Sequence, residues 1–179
     1  MKKTKSDIAW YAIRVTYSRE LKLKEYLDSQ QIENFVPMHY DVVEKENKLK
    51  RKLVPVIHNL IFIHSTKAII DSVKQINEGR FPMRYIIDHA SNSPVVVPEK
   101  EMKHFMTVVS SYHDDLIFLD SGELTMKKGD KVRITTGIWA GVEGVFIRVK
   151  GDRRVVVSLR GIMAVATAFV HPSCLEKIN

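Results

Sequence analysis

The chain has 179 residues, 45% of them hydrophobic and 27% charged, with a net charge of +7, seven histidines and one cysteine. No apolar run approaches the ~20 residues of a membrane span, a lone cysteine builds no disulfide framework, and the basic Met1–Lys5 start leads into no apolar signal core. A cytoplasmic, monomeric protein without a membrane anchor is expected.

The charge is uneven: net +5 over residues 1–112, −4 over residues 113–123, and +6 over residues 124–179. Two basic blocks flanking an acidic connector fit two modules that face polyanions or acidic partners, or a surface kept soluble by its charge.

In chain order, Ile8–Val15 is apolar and β-prone, and Thr16 or Ser18 can cap a following helix that aligns Leu23, Tyr26 and Leu27 and pairs Glu20 with Lys24. Phe35–Val43 reads as a strand with Pro37 at an edge or bulge, followed by a polar hairpin tip at Glu44–Lys48 and a return over Lys50–Val54. Asn59–His64 is a strand, and Thr66 caps a helix whose face is Ile69, Ile70, Val73 and Ile76, with Gly79 to end it. Arg84–Asp88 is a short strand, and Pro98 opens a helix with Met102, Phe105, Met106 and Val109 as its buried stripe. Beyond the acidic connector, Val145, Ile147 and Val149 share one face, Val155, Val157 and Leu159 another, and Ala164–Val170 closes an all-β set. The fold class is therefore α+β followed by a small β module.

The stretch Lys128-Gly129-Asp130-Lys131-Val132-Arg133-Ile134, with Gly137-Ile138-Trp139-Ala140-Gly141-Val142-Glu143-Gly144 behind it, resembles the KOW motif that begins a small SH3-like barrel, with Ile138 where Pro is common. Trp10-Tyr11, the helix to Leu27, Asn34-Phe35-Val36-Pro37, Asn59-Leu60-Ile61-Phe62-Ile63 and Arg84-Tyr85-Ile86 resemble, in that order, the NGN domain of the NusG family. Ile57-His58-Asn59-Leu60-Ile61 and Arg153–Leu159 with Gly161 look more like the specialised UpxY and RfaH branches than the general factor.

The resemblance implies an NGN-like domain over residues 1–112 (an antiparallel sheet flanked by helices), an acidic linker over 113–123 and a KOW barrel over 124–179. It implies a transcription elongation and antitermination factor, acting on a long operon such as one for surface polysaccharides. Leu60, Phe62 and Tyr85 would line a depression that docks on the clamp helices of the largest catalytic RNA polymerase subunit; read without the resemblance, they are ordinary core. Arg14, Arg19, Lys22, Tyr26 and Gln30 would meet non-template DNA or nascent RNA, or else form a solvated helix face. The mixed-charge hairpin with Lys45, Lys48, Lys50, Arg51 and Lys52 is solubilising or approaches the upstream fork.

In the barrel, Trp139 is either a lid over the core or an interaction anchor. With Arg133, Arg148 and Arg153, and with Arg154 adding charge, it would meet a small-subunit ribosomal protein, the termination factor Rho or RNA. Val155-Val156-Val157 and the Gly141/Gly144 pair favour β structure throughout this module.

An enzyme is not expected. The histidines at 39, 58, 64, 89, 104, 113 and 171 form no paired motif, His171 and Cys174 are two ligands short of a tetrahedral metal site, and no phosphate loop is present. No cofactor or metal is expected. The competing expectation is an RNA-binding or ribosome-associated KOW protein that does not bind polymerase.

Overall fold

The computed structural model describes residues 8–45, 48–120, 129–159 and 161–179; Glu46, Asn47, residues 121–128, Arg160 and the basic start lie outside the described residues. The chain gathers into two compact units: residues up to Pro37 with Ile57–Glu99, and Met38–Val56 with Lys100–Asn179.

The first unit is built on an antiparallel sheet. Its strands are β1 (Ala9–Val15), β2 (Asn34–Phe35), β5 (Leu60–Ser65), β6 (Met83–Tyr85) and β9 (Val96–Val97), ordered β2-β5-β1-β6 with β9 also pairing β1. Ile87–Asp88 (β7) and Ser93–Pro94 (β8) form a small hairpin beside it. The helices are α1 (Glu20–Ser29) and α2 (Lys67–Ile76). Both faces of β5 are buried, with Leu60, Ile61, Phe62 and Ile63 each at most 3% exposed. An apolar run with no polar alternation is what two-sided burial requires. α2 covers one face, because the Tyr85 hydroxyl donates to Asp71 Oδ1 at 2.9 Å and Tyr85 shares its rung with Ile13 and Ile61.

Several local expectations are corrected here. Pro37 divides the expected strand Phe35–Val43: β2 ends at Phe35, and β3 (Met38–Lys45) belongs to the second unit. Neither Thr16 nor Ser18 caps α1. Tyr17 and Ser18 have φ of 61° and 50°, outside the extended backbone a capping side chain needs, and Arg19 takes the N-cap position without a side-chain bond. Glu20 is buried against His58 Nδ1 (3.3 Å), so Lys24 pairs with Asp28 instead. Thr66 does cap α2, accepting from the Ile69 amide at 3.2 Å. That helix ends at Ile76 rather than running to Gly79, because the buried Asn77 side chain donates to the Val73 carbonyl. Ile69 and Ile76 are exposed, leaving Ile70 and Val73 to face the sheet.

The second unit contains the β3–β4 hairpin (β4, Lys48–Pro55), α3 (Glu99–Val109, of which Glu99 lies in the first unit) and a six-stranded antiparallel sheet. The sheet consists of β10 (Ile117–Asp120), β11 (Asp130–Ile134), β12 (Glu143–Val149), β13 (Asp152–Leu159), β14 (Met163–Phe169) and β15 (Leu175–Lys177), ordered β10-β14-β13-β12-β11-β15. Its core joins Leu119, Ile147, Val149, Val156, Ala164 and Ala166, with Val145 packed against them. The inward stripe of β12 is thus the expected one. β10 lies inside the stretch expected as an acidic connector, so residues 117–120 are part of the sheet and not a tether. The turn from β11 to β12 carries Gly137 and Gly141, both at φ +86°, a conformation that side-chain-bearing residues resist. Cys174 is half-buried in a short turn before β15.

Candidate nucleic-acid interface

The β1–α1 junction is held by three hydrogen bonds from its backbone amides. Val15 N donates to Asn59 O (2.9 Å), Thr16 N to Pro82 O (3.0 Å), and Ser18 N to Asn59 Oδ1 (2.7 Å). These bonds hold Tyr17 and Ser18 in the left-handed region, a conformation that costs free energy and recurs at functional sites. The result is an aromatic ring thrown outward: Tyr17 is 78% exposed, with the Arg19 guanidinium 5.3 Å from its centroid.

Beside it opens a cleft of about 740 Å³, lined by Arg19, Lys22, Glu25, Tyr26 and Ser29 from one side and Gly79, Arg80 and Phe81 from the other. Arg19 Nη1 donates to the Arg80 carbonyl at 2.7 Å, the Arg80 guanidinium lies 5.0 Å over the Phe81 ring, and Phe81 meets Tyr26 at 6.1 Å between centroids. Three cations against one carboxylate make a polyanion surface, and the half-buried Tyr26 ring, beside the buried Phe81, can also stack a base.

Of the five residues expected to meet nucleic acid, the structure brings Arg19, Lys22 and Tyr26 together. Arg14 and Gln30 do not line the cleft. Arg14 is exposed on β1, directly opposite Arg84, and Gln30 is exposed at the end of α1. Sequence reasoning missed Tyr17, Arg80 and Phe81. Arg80-Phe81 lies some 60 positions from Arg19, and the available signal was an Arg-aromatic pair straight after Gly79.

The residues expected to form one polymerase-facing depression fall on two faces. Register pairs Tyr85 with Ile13 and Ile13 with Ile61, whereas Leu60 pairs with Arg14 and Phe62 with Ala12. Directly paired residues share a face and successive ones alternate, so Tyr85 lies on the face opposite Leu60 and Phe62. Leu60 and Phe62 are buried, and Tyr85 is half-buried with Lys67 Nζ and Lys74 Nζ at 5.5 and 4.6 Å from its ring centroid. Burial, then the bond to Asp71, pushes the Tyr85 hydroxyl well above its usual range, and a hydrogen bond from Lys67 holds Asp71 below the usual carboxylate range.

In the second unit, Arg133 is committed to ion pairs, with Nη2 2.9 Å from Glu143 and Nη1 3.2 Å from Glu176. Trp139 is 6% exposed; its indole N–H donates to Ser111 Oγ (3.2 Å) and its ring lies 5.4 Å from that of His113, so it is packed inward and not presented at the surface. Arg154 is buried and donates to the carbonyls of Asp115 and Thr167. Arg148 and Arg153 are exposed. On the β3–β4 hairpin, Arg51 pairs with Asp114, and Lys48, Lys50 and Lys52 are exposed. Among the described residues, no group of three His, Cys, Asp or Glu side chains is placed to hold a metal, and no helix is long and apolar enough to cross a membrane.

A solved structure described as "Domain interaction in Thermotoga maritima NusG" aligns with 97% of this chain and 98% of its own, at 19% identity and a TM-score of 0.41. No curated protein matches the chain. The profile described as "Transcription termination factor nusG" matches residues 8–106, more than half of the sequence and all of the β1–α1 junction. The chain belongs to the NusG family.

Proposed function

We propose that this NusG-family transcription factor docks on RNA polymerase through its first unit and suppresses pausing and termination while holding exposed nucleic acid in the β1–α1 cleft. The observation that carries the reading is that cleft: Arg19, Lys22 and Arg80 around the half-buried Tyr26, beside the exposed Tyr17 ring presented by strained backbone. Such a surface suits a factor that meets an unpaired strand. Tyr85, with its flanking lysines, supplies polymerase contact at one face of the sheet, and Leu60 and Phe62 act from within the core by setting the sheet's shape.

No chemical step is required. A factor that binds the elongating form of polymerase more tightly than the paused form shifts the population between them. The reading of a specialised factor for a long operon rests on the resemblance of Ile57–Ile61 to the UpxY and RfaH branches, a segment in which Asn59 pins the junction. The second unit would recruit a further partner, such as a ribosomal protein or Rho.

The test is transcription with cognate polymerase through a leader that carries a pause and a terminator, comparing wild type with Arg19→Glu/Lys22→Glu and with Tyr85→Ala. Readthrough by wild type is expected, with the double variant losing it and Tyr85→Ala binding polymerase more weakly. A wild-type protein that neither binds polymerase nor changes pausing would overturn this reading in favour of RNA or ribosome binding.

A further inference from the structure

Within the second unit, α3 meets one face of the six-stranded sheet without closing on it. Lys131, Val145 and Val156 stand on one rung across β11, β12 and β13, and directly paired residues share a face. Glu143 and Ser158 lie two residues from Val145 and Val156, so they share that face too. Lys100 and His104, one turn apart on α3, line the space above it, and Lys100 Nζ reaches Glu143 at 2.6 Å. Polar side chains thus join helix to sheet where apolar ones would have packed. A cavity of about 410 Å³ remains between them, the size of a small-molecule site, with Val145 and Val156 as its floor and Ile178 beside them.

The charged groups around this cavity are mostly committed. Glu143 is held by Lys100 and by Arg133, and Glu101 has a contact of its own. Two groups differ, among the described residues: His104 Nε2 is buried without a hydrogen-bond partner, and the exposed Lys131 ammonium joins no ion pair. A buried polar atom left without a partner calls for one. Burial, more than any neighbouring charge, holds the His104 pKa below the ordinary histidine range, so the ring is neutral near neutral pH and can offer an N–H at Nε2.

We propose that this cavity binds a small organic monocarboxylate, its apolar body lying on Val145, Val156 and Ile178 and its carboxylate held by Lys131 and His104. One uncommitted ammonium matches one negative charge, and the imidazole N–H supplies a second donor. A phosphate carries more charge and would face the Glu101 and Glu143 carboxylates in the same space. A ligand seated there ties α3 to the sheet and stabilises the second unit by mass action. The site stands apart from polymerase docking and from the β1–α1 cleft.

The test is methyl NMR of the full chain near neutral pH, following the Val145 and Val156 signals during titration with phenylbutyrate, with its neutral amide and with the cation phenylbutylamine. The carboxylate should shift both valines saturably, with a Kd of about 1 mM or tighter, and the amide should bind about tenfold more weakly. Lys131→Gln should erase that difference by weakening the carboxylate alone, whereas His104→Leu should weaken carboxylate and amide both, by about fivefold. Ser158→Tyr, at an exposed position on the rim, should fill the cavity and abolish the shifts in a folded chain. Lys103→Gln, exposed on α3 outside the cavity lining, should change nothing. The site is overturned if folded wild type shows no saturable shift up to about 20 mM carboxylate, if the amine binds as well as the carboxylate, or if Lys131→Gln leaves carboxylate affinity unaltered. None of these outcomes bears on polymerase-dependent readthrough, so the two proposals fail separately.

Discussion

The side chain of Asn59 holds the backbone of Ser18: Oδ1 accepts from the Ser18 amide at 2.7 Å, and both residues sit in the left-handed region, at φ of 67° and 50°. Asparagine suits this role twice, because it tolerates that conformation better than most residues and carries the acceptor. Asn59→Gly should keep the backbone and lose the bond, costing about 1 kcal/mol. Asn59→Ala should add backbone strain of roughly 1–2 kcal/mol. Urea unfolding should rank wild type above Gly and Gly above Ala, and both variants should weaken single-strand binding at the cleft.

A methyl group at Gly144 would sit 2.5 Å from the Val156 carbonyl oxygen and 2.8 Å from Val155 Cγ1. The first obstacle is sheet backbone, which cannot yield without breaking the β12–β13 ladder. Gly144→Ala should cost about 3 kcal/mol, at the upper end of overpacking. Gly79→Ala, where the added atom meets nothing within 4 Å, should fall within about 0.5 kcal/mol of wild type. Equal midpoints for the two variants would contradict this packing.

The two adjacent arginines of β13 should behave oppositely. Arg154 is buried and donates to two carbonyls, at 2.7 and 2.8 Å, so Arg154→Met strands both acceptors and should cost about 3 kcal/mol. Arg153→Gln relieves a like-charge contact on the surface and should leave thermal stability unchanged or slightly higher. Thermal melts of the two single variants decide this.

His104 on α3 carries a pKa below the ordinary histidine range, chiefly because burial disfavours its charged form, with Lys100, Lys103 and Arg133 adding to the depression and Glu143 opposing it. The unfolded chain therefore takes up a proton before the folded one does. Stability is fully present above the ordinary value near 6.5 and declines as pH falls from there toward the folded value. Glu143, held below its usual range first by Lys100 and then by Arg133, adds a second loss at more acid pH, as the carboxylate is protonated. His104→Gln should flatten the upper part of the pH profile of the urea midpoint and leave the lower part in place. An unchanged slope between pH 7 and 5.5 would show that His104 is not the group responsible.

The local grammar of the chain was sufficient for much of this protein. Periodicity separates the helices from the strands, Thr66 announces the start of α2, and the alternation of Val145, Ile147 and Val149 marks the inward stripe of β12, because each depends only on residues a few positions apart. The order of the elements is enough to suggest the family. Tertiary structure alone decided which face each residue occupies and which charges remain available. Tyr85 is separated from Leu60 and Phe62 by a register set through β1, Arg133 is neutralised by Glu143 and Glu176, and Arg154 turns inward to carbonyls at 115 and 167 while Arg153 stays outside. Arg80 and Phe81 complete a cleft begun by Arg19 and Lys22 across some 60 residues of chain. A side chain's neighbours along the chain set its propensity, but its burial and its free charge are set by partners that only folding brings near.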